Sequence, residues 1–194
     1  ATTDLTCATA LFKVKGDDNY YVKQMYWLPS DLFDTRIHED KVKYDEYLQG
    51  GWLRLSAGNK INYKDIVAWF AELREEYGMY LYKCGYDSWS ASYLVDELSD
   101  NYGKSNIEAV IQGPKTMSGP MKTIYAELKS KKINYDNNPL LRWNLSNAAI
   151  ETDRNDNIAL VKTSNPKRRI DGVASLIDAW VVMERNHEDY MNML

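Results

Sequence analysis

The chain has 194 residues, a formal net charge of −4 and 44% hydrophobic residues. This length suits one domain, and the apolar fraction is sufficient for a sizeable core. There is neither an apolar run of about eighteen residues nor a signal peptide, so we expect no membrane partner. The negative charge argues against a protein that grips nucleic acid with its whole surface, because cations bind the phosphates.

Strand and helix patterns alternate along the chain after an initial hairpin. Turn residues at 16–19 separate two strand-like segments, and residues 32–47 are too charged to assign. In chain order, the predicted elements are strands over residues 5–14, 20–27 and 52–55, a helix over 62–77, a strand over 79–86, a helix through 89–98, a strand over 107–111, helices near 118–131 and 140–149, a strand over 158–162 and a helix opening at 171. This order predicts an α/β fold with a mixed sheet and helices on its faces.

The first candidate functional residue is Asp87. It follows the apolar run 79–86, which is typical of a buried strand, and open α/β sheets bind their ligands at the carboxyl ends of strands. The alternative is structural, since Asp87 or Ser88 would equally serve as the cap of the helix expected after them.

The second candidate is Asp171, which opens an apolar helix directly behind Arg168 and Arg169. A carboxylate at this end favours the positive pole of the helix dipole, although an ordinary N-terminal cap has the same pattern. Asp87 and Asp171 together predict a site for a divalent ion, because Mg²⁺ prefers carboxylate oxygens. Asp178 shares the helical face of Asp171, where it would either approach this site or form a buried pair.

Short segments along nearly the whole chain have an order and spacing typical of one family. They are Thr3-Asp4-Leu5-Thr6, Trp27-Leu28-Pro29, Tyr86-Asp87-Ser88-Trp89, Gln112-Gly113, Asn138-Pro139-Leu140-Leu141-Arg142-Trp143 with Asn147-Ala148, and Arg169-Ile170-Asp171-Gly172-Val173-Ala174. Together they resemble the C-terminal nuclease domain of the large terminase subunit of tailed bacteriophages. No single segment is specific by itself.

The resemblance implies a ribonuclease H-like mixed sheet flanked by helices, with residues 1–194 as one nuclease domain. Its implied function is a metal-dependent endonuclease that cuts concatemeric double-stranded DNA during viral genome packaging. Phosphodiester hydrolysis would use two Mg²⁺ or Mn²⁺ ions. By motif, Asp87 and Asp171 are the catalytic metal ligands. Asp4, which resembles a secondary acid of the first loop, is a third catalytic candidate.

The resemblance also implies two missing parts. The first acid of the family lies on a strand before Thr3, so we expect this chain to be truncated at that strand, with weakened metal affinity and little cutting. The ATPase motor of the family is a separate N-terminal domain, and the chain has no glycine-rich lysine motif of that kind. The implied partners are DNA, that ATPase domain, the small terminase subunit and the portal, in the host cytoplasm of a phage or prophage.

Basic residues cluster just before Asp171. Lys162, Lys167, Arg168 and Arg169 are the candidate DNA contacts, near the proposed metal. The cluster at residues 129–132 is instead interpreted as a solvated face.

Two alternatives to a nuclease stay open. The same fold could be a catalytically silent docking module of the packaging motor, because a fold does not guarantee its chemistry. The 15 Tyr and 6 Trp could line a carbohydrate groove, with Asp87 and Asp171 as glycosidase acids, although core packing is the default for these rings. Cys7 and Cys84 lie in strand-like segments without a zinc-site spacing, which predicts buried thiols.

Overall fold

The computed structural model describes residues 3–89, 92–162, 165 and 168–194. Its strands are β1 (Thr6–Phe12), β2 (Tyr20–Pro29), β3 (Leu53–Ser56), β4 (Cys84–Asp87), β5 (Ile107–Val110), β6 (Ile133–Asn134), β7 (Ala148–Thr152) and β8 (Ile158–Lys162). Its helices are α1 (Phe33–Asp40), α2 (Tyr44–Gln49), α3 (Tyr63–Tyr77), α4 (Ser92–Tyr102), α5 (Pro114–Lys129), α6 (Pro139–Asn147), α7 (Asp171–Arg185) and α8 (His187–Met193). Within these ranges, no helix is long and apolar enough to cross a bilayer.

The largest sheet is built around β2. β1 pairs with it antiparallel along its whole length, which confirms the predicted hairpin. On the other side, β2 pairs in parallel with β3 near its end and with β6 near its start. β2 is buried on both faces, since Tyr26 and Leu28 join one apolar cluster and Trp27 joins another with Trp69 of α3.

A second, smaller sheet is formed by β4 and β5, which run parallel, with Asp87 opposite Val110. In the described part of the chain, no strand pairing joins β1 to β4. α7 packs against both strands, so the two sheets lie over the same helix with a groove between them. This arrangement places the free edges of β1 and β4 on the two sides of one cavity.

The apolar stripe predicted for the last long helix is confirmed in α7. Leu176, Ile177 and Trp180 are almost completely buried there. α7 contacts the sheets so closely that two glycines at these contacts, Gly172 on α7 and Gly85 on β4, have no room for a side chain. A Cβ on Gly172 would overlap the Tyr26 hydroxyl, and one on Gly85 would lie 2.5 Å from Cγ2 of Val182.

The strand predicted over 79–86 is mostly wrong. Only Cys84 onward is strand, and residues 79–83 have no regular structure, with Tyr80 73% exposed. The physical reason is that α3 ends at Gly78 in a left-handed conformation and the chain then follows the groove instead of pairing within a sheet.

Other boundaries also differ from the predicted ones. The helix expected through Trp89 begins at Ser92, which leaves Trp89 85% exposed. α5 begins early, at Pro114, because proline suits the first position of a helix. α6 ends at Asn147, and the next five residues form β7 instead, which pairs antiparallel with β8. α1 and α2 occupy the segment that could not be assigned.

Candidate active site

The groove between β1 and β4 has a volume of about 590 Å³. Residues 5–13 form one wall, residues 78–87 form the other, and α7 lies beneath them. Three carboxylates line this cavity, namely Asp87, Asp171 and Asp178. Both acids predicted to be metal ligands therefore line one groove, together with Asp178, whereas the third catalytic candidate, Asp4, does not line it.

Asp87 is the last residue of β4. Its Oδ1 accepts a hydrogen bond of 2.9 Å from the backbone N–H of Trp89. Ser88 and Trp89 form a turn, and this bond holds that turn directly after the strand. The carboxylate is thereby fixed at the carboxyl end of the strand.

Asp171 is the first residue of α7, and the N-cap position falls on Ile170. Asp171 is therefore not the N-cap residue of α7. Burial raises the pKa of the Asp171 carboxyl, and the nearby carboxylate of Asp4 raises it further. The cations of Lys162 and Arg169 act in the opposite direction. The carboxylate thus lies in a half-buried position with positive charge close by.

Asp178 lies near the middle of α7. Burial raises the pKa of its carboxyl to about 6, and the negative charge of Asp87 contributes in the same direction. The amide Nε2 of Gln112 donates a hydrogen bond of 3.0 Å to Oδ1 of Asp178. The sequence signal for this residue was its helical spacing from Asp171, which does not distinguish a site residue from a buried polar pair.

The three acids do not form one compact cluster. Asp171 and Asp178 are about 10 Å apart along the helix axis, at the usual rise per residue. The negative charge of Asp87 raises the pKa of Asp178. The charges that change the pKa of Asp171 are instead those of Lys162, Arg169 and Asp4. Among the described residues, no group of three or more His, Cys, Asp or Glu side chains is arranged to hold a metal ion.

Asp4 and Arg169 belong to a network of ion pairs beside the groove. Arg169 is 7% exposed, and its Nε and Nη2 donate to the Asp40 carboxylate at 3.0 and 2.9 Å. Asp4 lies 2.8 Å from Arg36 and 3.3 Å from Arg169. The predicted DNA contact by Arg169 is therefore corrected, because its guanidinium is buried against carboxylates. Asp4 is near Asp171 but is occupied by two arginines.

The remaining basic candidates lie at the surface or outside the described residues. Lys162 ends β8, is exposed and acts electrostatically on Asp171. Arg168 is exposed and lines a second cavity of about 570 Å³ with the end of α1 and with α6. Lys167 lies outside the described residues.

Both cysteines line the groove, Cys7 from β1 and Cys84 from β4. They are free thiols. Burial raises the pKa of Cys84 to about 12, and it also raises the pKa of Cys7. Both thiols are half-buried rather than fully buried as predicted, and both stay protonated near neutral pH.

The sheets with helices on their faces form the mixed α/β fold that the sequence predicted, and three acids line its groove. Residues 2–188 match the family model of the terminase large subunit, endonuclease domain, and the chain belongs to this family. It is 26% identical over 177 residues to the terminase large subunit of Enterobacteria phage HK97, covering 91% of this chain and 34% of that protein. It is 25% identical over 173 residues to protein YmfN of Escherichia coli (strain K12), covering 86% of this chain and 37% of that protein.

The HK97 structure has the same fold. The crystal structure of the HK97 bacteriophage large terminase superposes with a TM-score of 0.81 at 22% identity, covering 93% of this chain and 37% of that chain. The large terminase nuclease from thermophilic phage G20c with bound magnesium has a TM-score of 0.48 at 16% identity, covering 91% of this chain and 81% of that one. The chain spans about a third of the length of the curated relatives.

Proposed function

We propose that this domain is a metal-dependent endonuclease that cuts concatemeric double-stranded DNA during viral genome packaging. The observation that carries the proposal is a groove lined by Asp87, Asp171 and Asp178 in a member of the terminase endonuclease family. The proposed partners are the terminase ATPase domain, the small terminase subunit and the portal, and the proposed setting is the host cytoplasm.

The residues in the groove fit a divalent cation. All three acids offer the oxygen ligands that Mg²⁺ and Mn²⁺ accept. Burial raises the pKa of Asp171 and of Asp178, so both carboxylates lack sufficient compensating charge in the groove. A bound cation would supply this charge, and in phosphodiester hydrolysis it activates water and stabilises the leaving oxygen.

Each residue has a distinct part in this proposal. Asp87 is held at the end of β4 by the Trp89 backbone, and Asp171 is held by the first turn of α7. Both would therefore bind an ion with little rearrangement. Lys162 and Arg168 are exposed cations that would contact DNA phosphates close to Asp171. Asp4 would stay paired with its arginines and support the loop before β1.

The groove also supports the expectation of a missing strand. The free edges of β1 and β4 face it, and neighbouring strands in a sheet lie about 4.8 Å apart. We propose that a strand preceding Thr3 in the longer protein pairs with both edges and carries the remaining acid, as the family resemblance implies. Residues 1–194 are then the nuclease domain without that strand, and the ATPase motor is a separate domain.

A plasmid assay tests this function. We expect the chain lengthened by the upstream strand to convert supercoiled plasmid to nicked and linear forms in Mn²⁺. Chelator and the Asp87→Ala and Asp171→Ala variants should each abolish cutting, and the chain of 194 residues should cut much more slowly. Asp189→Ala on the exposed face of α8 is the matched control and should cut normally.

Three outcomes would contradict the proposal. Cutting that survives chelator would exclude metal-dependent hydrolysis. Equal rates for the short and the lengthened chains would exclude the missing strand. A lengthened chain that folds and binds Mn²⁺ but never cuts would favour the silent docking module.

A further inference from the structure

We propose that one face of α5 binds the phosphate backbone of double-stranded DNA and holds the duplex beside the groove. Lys115, Lys122 and Lys129 form this surface, the lysine face. The inference rests on the proposed function and adds to it a contact surface that lies outside the groove and outside the basic residues before Asp171.

The lysine face is one continuous exposed stripe of a helix of 16 residues. Its three lysines recur every seven residues, about two helical turns, so they lie nearly in line along the axis. All three are exposed, and so are the small residues between them, Gly119 and Ala126. A Cβ added to Gly119 would meet nothing within 4 Å. A long ligand can therefore approach the helix closely along the whole row of cations.

The charge of the lysine face is not neutralised by carboxylates of the protein. The only acid in the sequence of α5 is Glu127, which is half-buried on another side of the helix. Other surface cations are paired, such as Lys43 with Glu46 at 3.0 Å and Arg54 with Glu72 at 2.7 Å. Within the described chain, no lysine of this face forms an ion pair. A merely solvated helix face typically has charges of both signs, which this one lacks.

Lys115 connects the lysine face to the groove. Gln112 lines the groove, and Lys115 follows it by three residues, a span of at most about 11 Å. Lys115 also lies in the first turn of α5, which contains no acid. A cation at this positive end of the helix dipole does not stabilise the helix. Its position instead extends positive charge from the edge of the groove along α5.

The other two lysines are held in place at the surface. Nζ of Lys122 donates a hydrogen bond of 2.7 Å to the carbonyl oxygen of Asp156, in the turn between β7 and β8. Nζ of Lys129 lies 5.6 Å from the ring centroid of Tyr125, which is 65% exposed. Ordered side chains lose less conformational entropy on binding. The same turn carries the carboxylates of Asp153 and Asp156, so Lys122 contributes less free charge than the two outer lysines.

The length of the lysine face suits a duplex. Lys115 and Lys129 are about 21 Å apart at the usual helical rise, which corresponds to about six base pairs of DNA. Lys131 and Lys132, both exposed, continue the positive charge beyond the helix, so the cluster at residues 129–132 is part of a longer basic surface. The phosphate backbone is a linear anion that such a row of cations can follow without reading sequence. Because the whole chain has a net charge of −4, this local surface decides where the duplex binds.

Binding of a labelled duplex of about 30 base pairs to the chain of 194 residues tests the surface, by fluorescence anisotropy in chelator between about 50 and 200 mM KCl. In one variant all three lysines of the lysine face are changed to glutamine. We expect it to lose at least tenfold in affinity at the lowest salt concentration. The slope of log affinity against log salt concentration should fall by about 2–3, since three phosphate contacts are removed.

A matched control removes the same charge from other exposed positions, namely Lys60→Gln, Lys64→Gln and Lys104→Gln together. It should lose less than threefold in affinity and keep the salt dependence of the parent. Gly119→Glu places a carboxylate in the middle of the lysine face and favours the helix, so the fold is retained. Its affinity should be at least threefold lower than that of Gly119→Gln, which adds the same bulk without charge.

Three results would overturn the lysine face. They are equal losses in the two triple variants, equal binding by Gly119→Glu and Gly119→Gln, and a parent chain that does not bind the duplex at about 50 mM KCl. Plasmid cutting by the lengthened chain separates this inference from the proposed function. Cutting with an unchanged KM in the lysine-face variant would overturn the surface and leave the nuclease standing. Duplex binding through the lysine face without any cutting in Mn²⁺ would overturn the nuclease and support the surface.

Discussion

Asp171 and Asp178 differ in environment although they lie on one face of one helix. Asp171 begins α7, beside Lys162 and Arg169, whereas the hydrogen bond to Asp178 comes from the neutral amide of Gln112. Burial raises the pKa of Asp178 to about 6, the hydrogen bond from Gln112 opposes this shift, and the negative charge of Asp87 adds to it. The ionised carboxylate in mid-helix therefore costs stability in the absence of a cation.

This cost predicts how Asp178→Asn changes stability with pH in chelator. The pKa of Asp178 is higher in the folded chain than in the unfolded chain, so the stability of the parent falls as the pH rises from about 4 to about 6 and stays low above that. The Asp178→Asn variant has no ionisable group at this position, so its stability does not fall for this reason. We expect its free energy of unfolding in urea to exceed that of the parent by about 1–2 kcal/mol at pH 7. Near pH 4 the variant and the parent should have the same free energy of unfolding. An equal stabilisation at pH 4 and at pH 7 would show that ionisation of Asp178 is not its cause.

At the scale of elements, a buried polar network joins β2 to α7. Nε2 of Gln24 donates to Thr9 Oγ1 and to the carbonyl of Gly172, and the Tyr26 hydroxyl donates to Oε1 of Gln24. The N–H of Gly172 donates to Oδ1 of Asn144 on α6. Both backbone groups of Gly172 are thus used directly after Asp171, which fixes the start of α7 against the sheet.

Gly172→Ala tests this close approach. The new methyl group would overlap the buried Tyr26 hydroxyl, so we expect a loss of about 1–3 kcal/mol in the free energy of unfolding, typical of overpacking. Gly119→Ala in α5 is the control, because a Cβ there meets nothing within 4 Å. The control should be neutral or stabilising by up to about 1 kcal/mol, from helix propensity. Equal effects at the two glycines would show that Tyr26 does not restrict position 172.

The ion pair of Arg169 with Asp40 joins α1 to the segment before α7. Both side chains are buried, and the Tyr44 hydroxyl also donates to Asp40, at 2.7 Å. Arg169→Met leaves the Asp40 carboxylate without its cation, so we expect a loss of about 3–5 kcal/mol in unfolding experiments. The double variant with Asp40→Leu should recover much of this loss, because it leaves no unpaired charge. A double variant no more stable than Arg169→Met would show that the unpaired carboxylate is not the source of the loss.

At the scale of the whole molecule, two sheets share α7 and leave a groove between their edges. Free strand edges and a cavity of about 590 Å³ are places where added structure stabilises a protein. We expect the chain lengthened by the upstream strand to have a thermal unfolding midpoint several degrees higher, and slower amide exchange in β1 and β4. An extension of the same length with proline at alternate positions is the control, since it cannot pair. Equal midpoints for both extensions would exclude strand pairing in the groove.

Sequence periodicity predicted the elements that bury one regular face. The β1–β2 hairpin, α3 and α7 are such elements, and each was found close to its observed bounds. The strand over residues 79–86 was overextended because those apolar side chains line a groove, which has the same composition as a sheet interior. The site was only partly predictable for a related reason. The sequence does not distinguish a buried basic residue such as Arg169 from an exposed one such as Arg168. Nor does the sequence around Asp178 indicate which residues of β4 and β5 lie next to it.

The three acids of the groove belong to two structural units, because Asp171 and Asp178 lie on α7 whereas Asp87 lies on β4. The distance between Asp171 and Asp178 is set by the rise of α7 and does not change when the sheets move apart. Asp87 belongs to the β4–β5 sheet, so its distance from Asp178 follows the contact between that sheet and the helix. Whatever widens or narrows the groove therefore changes the distance from Asp87 to Asp178 and leaves the distance from Asp171 to Asp178 unchanged.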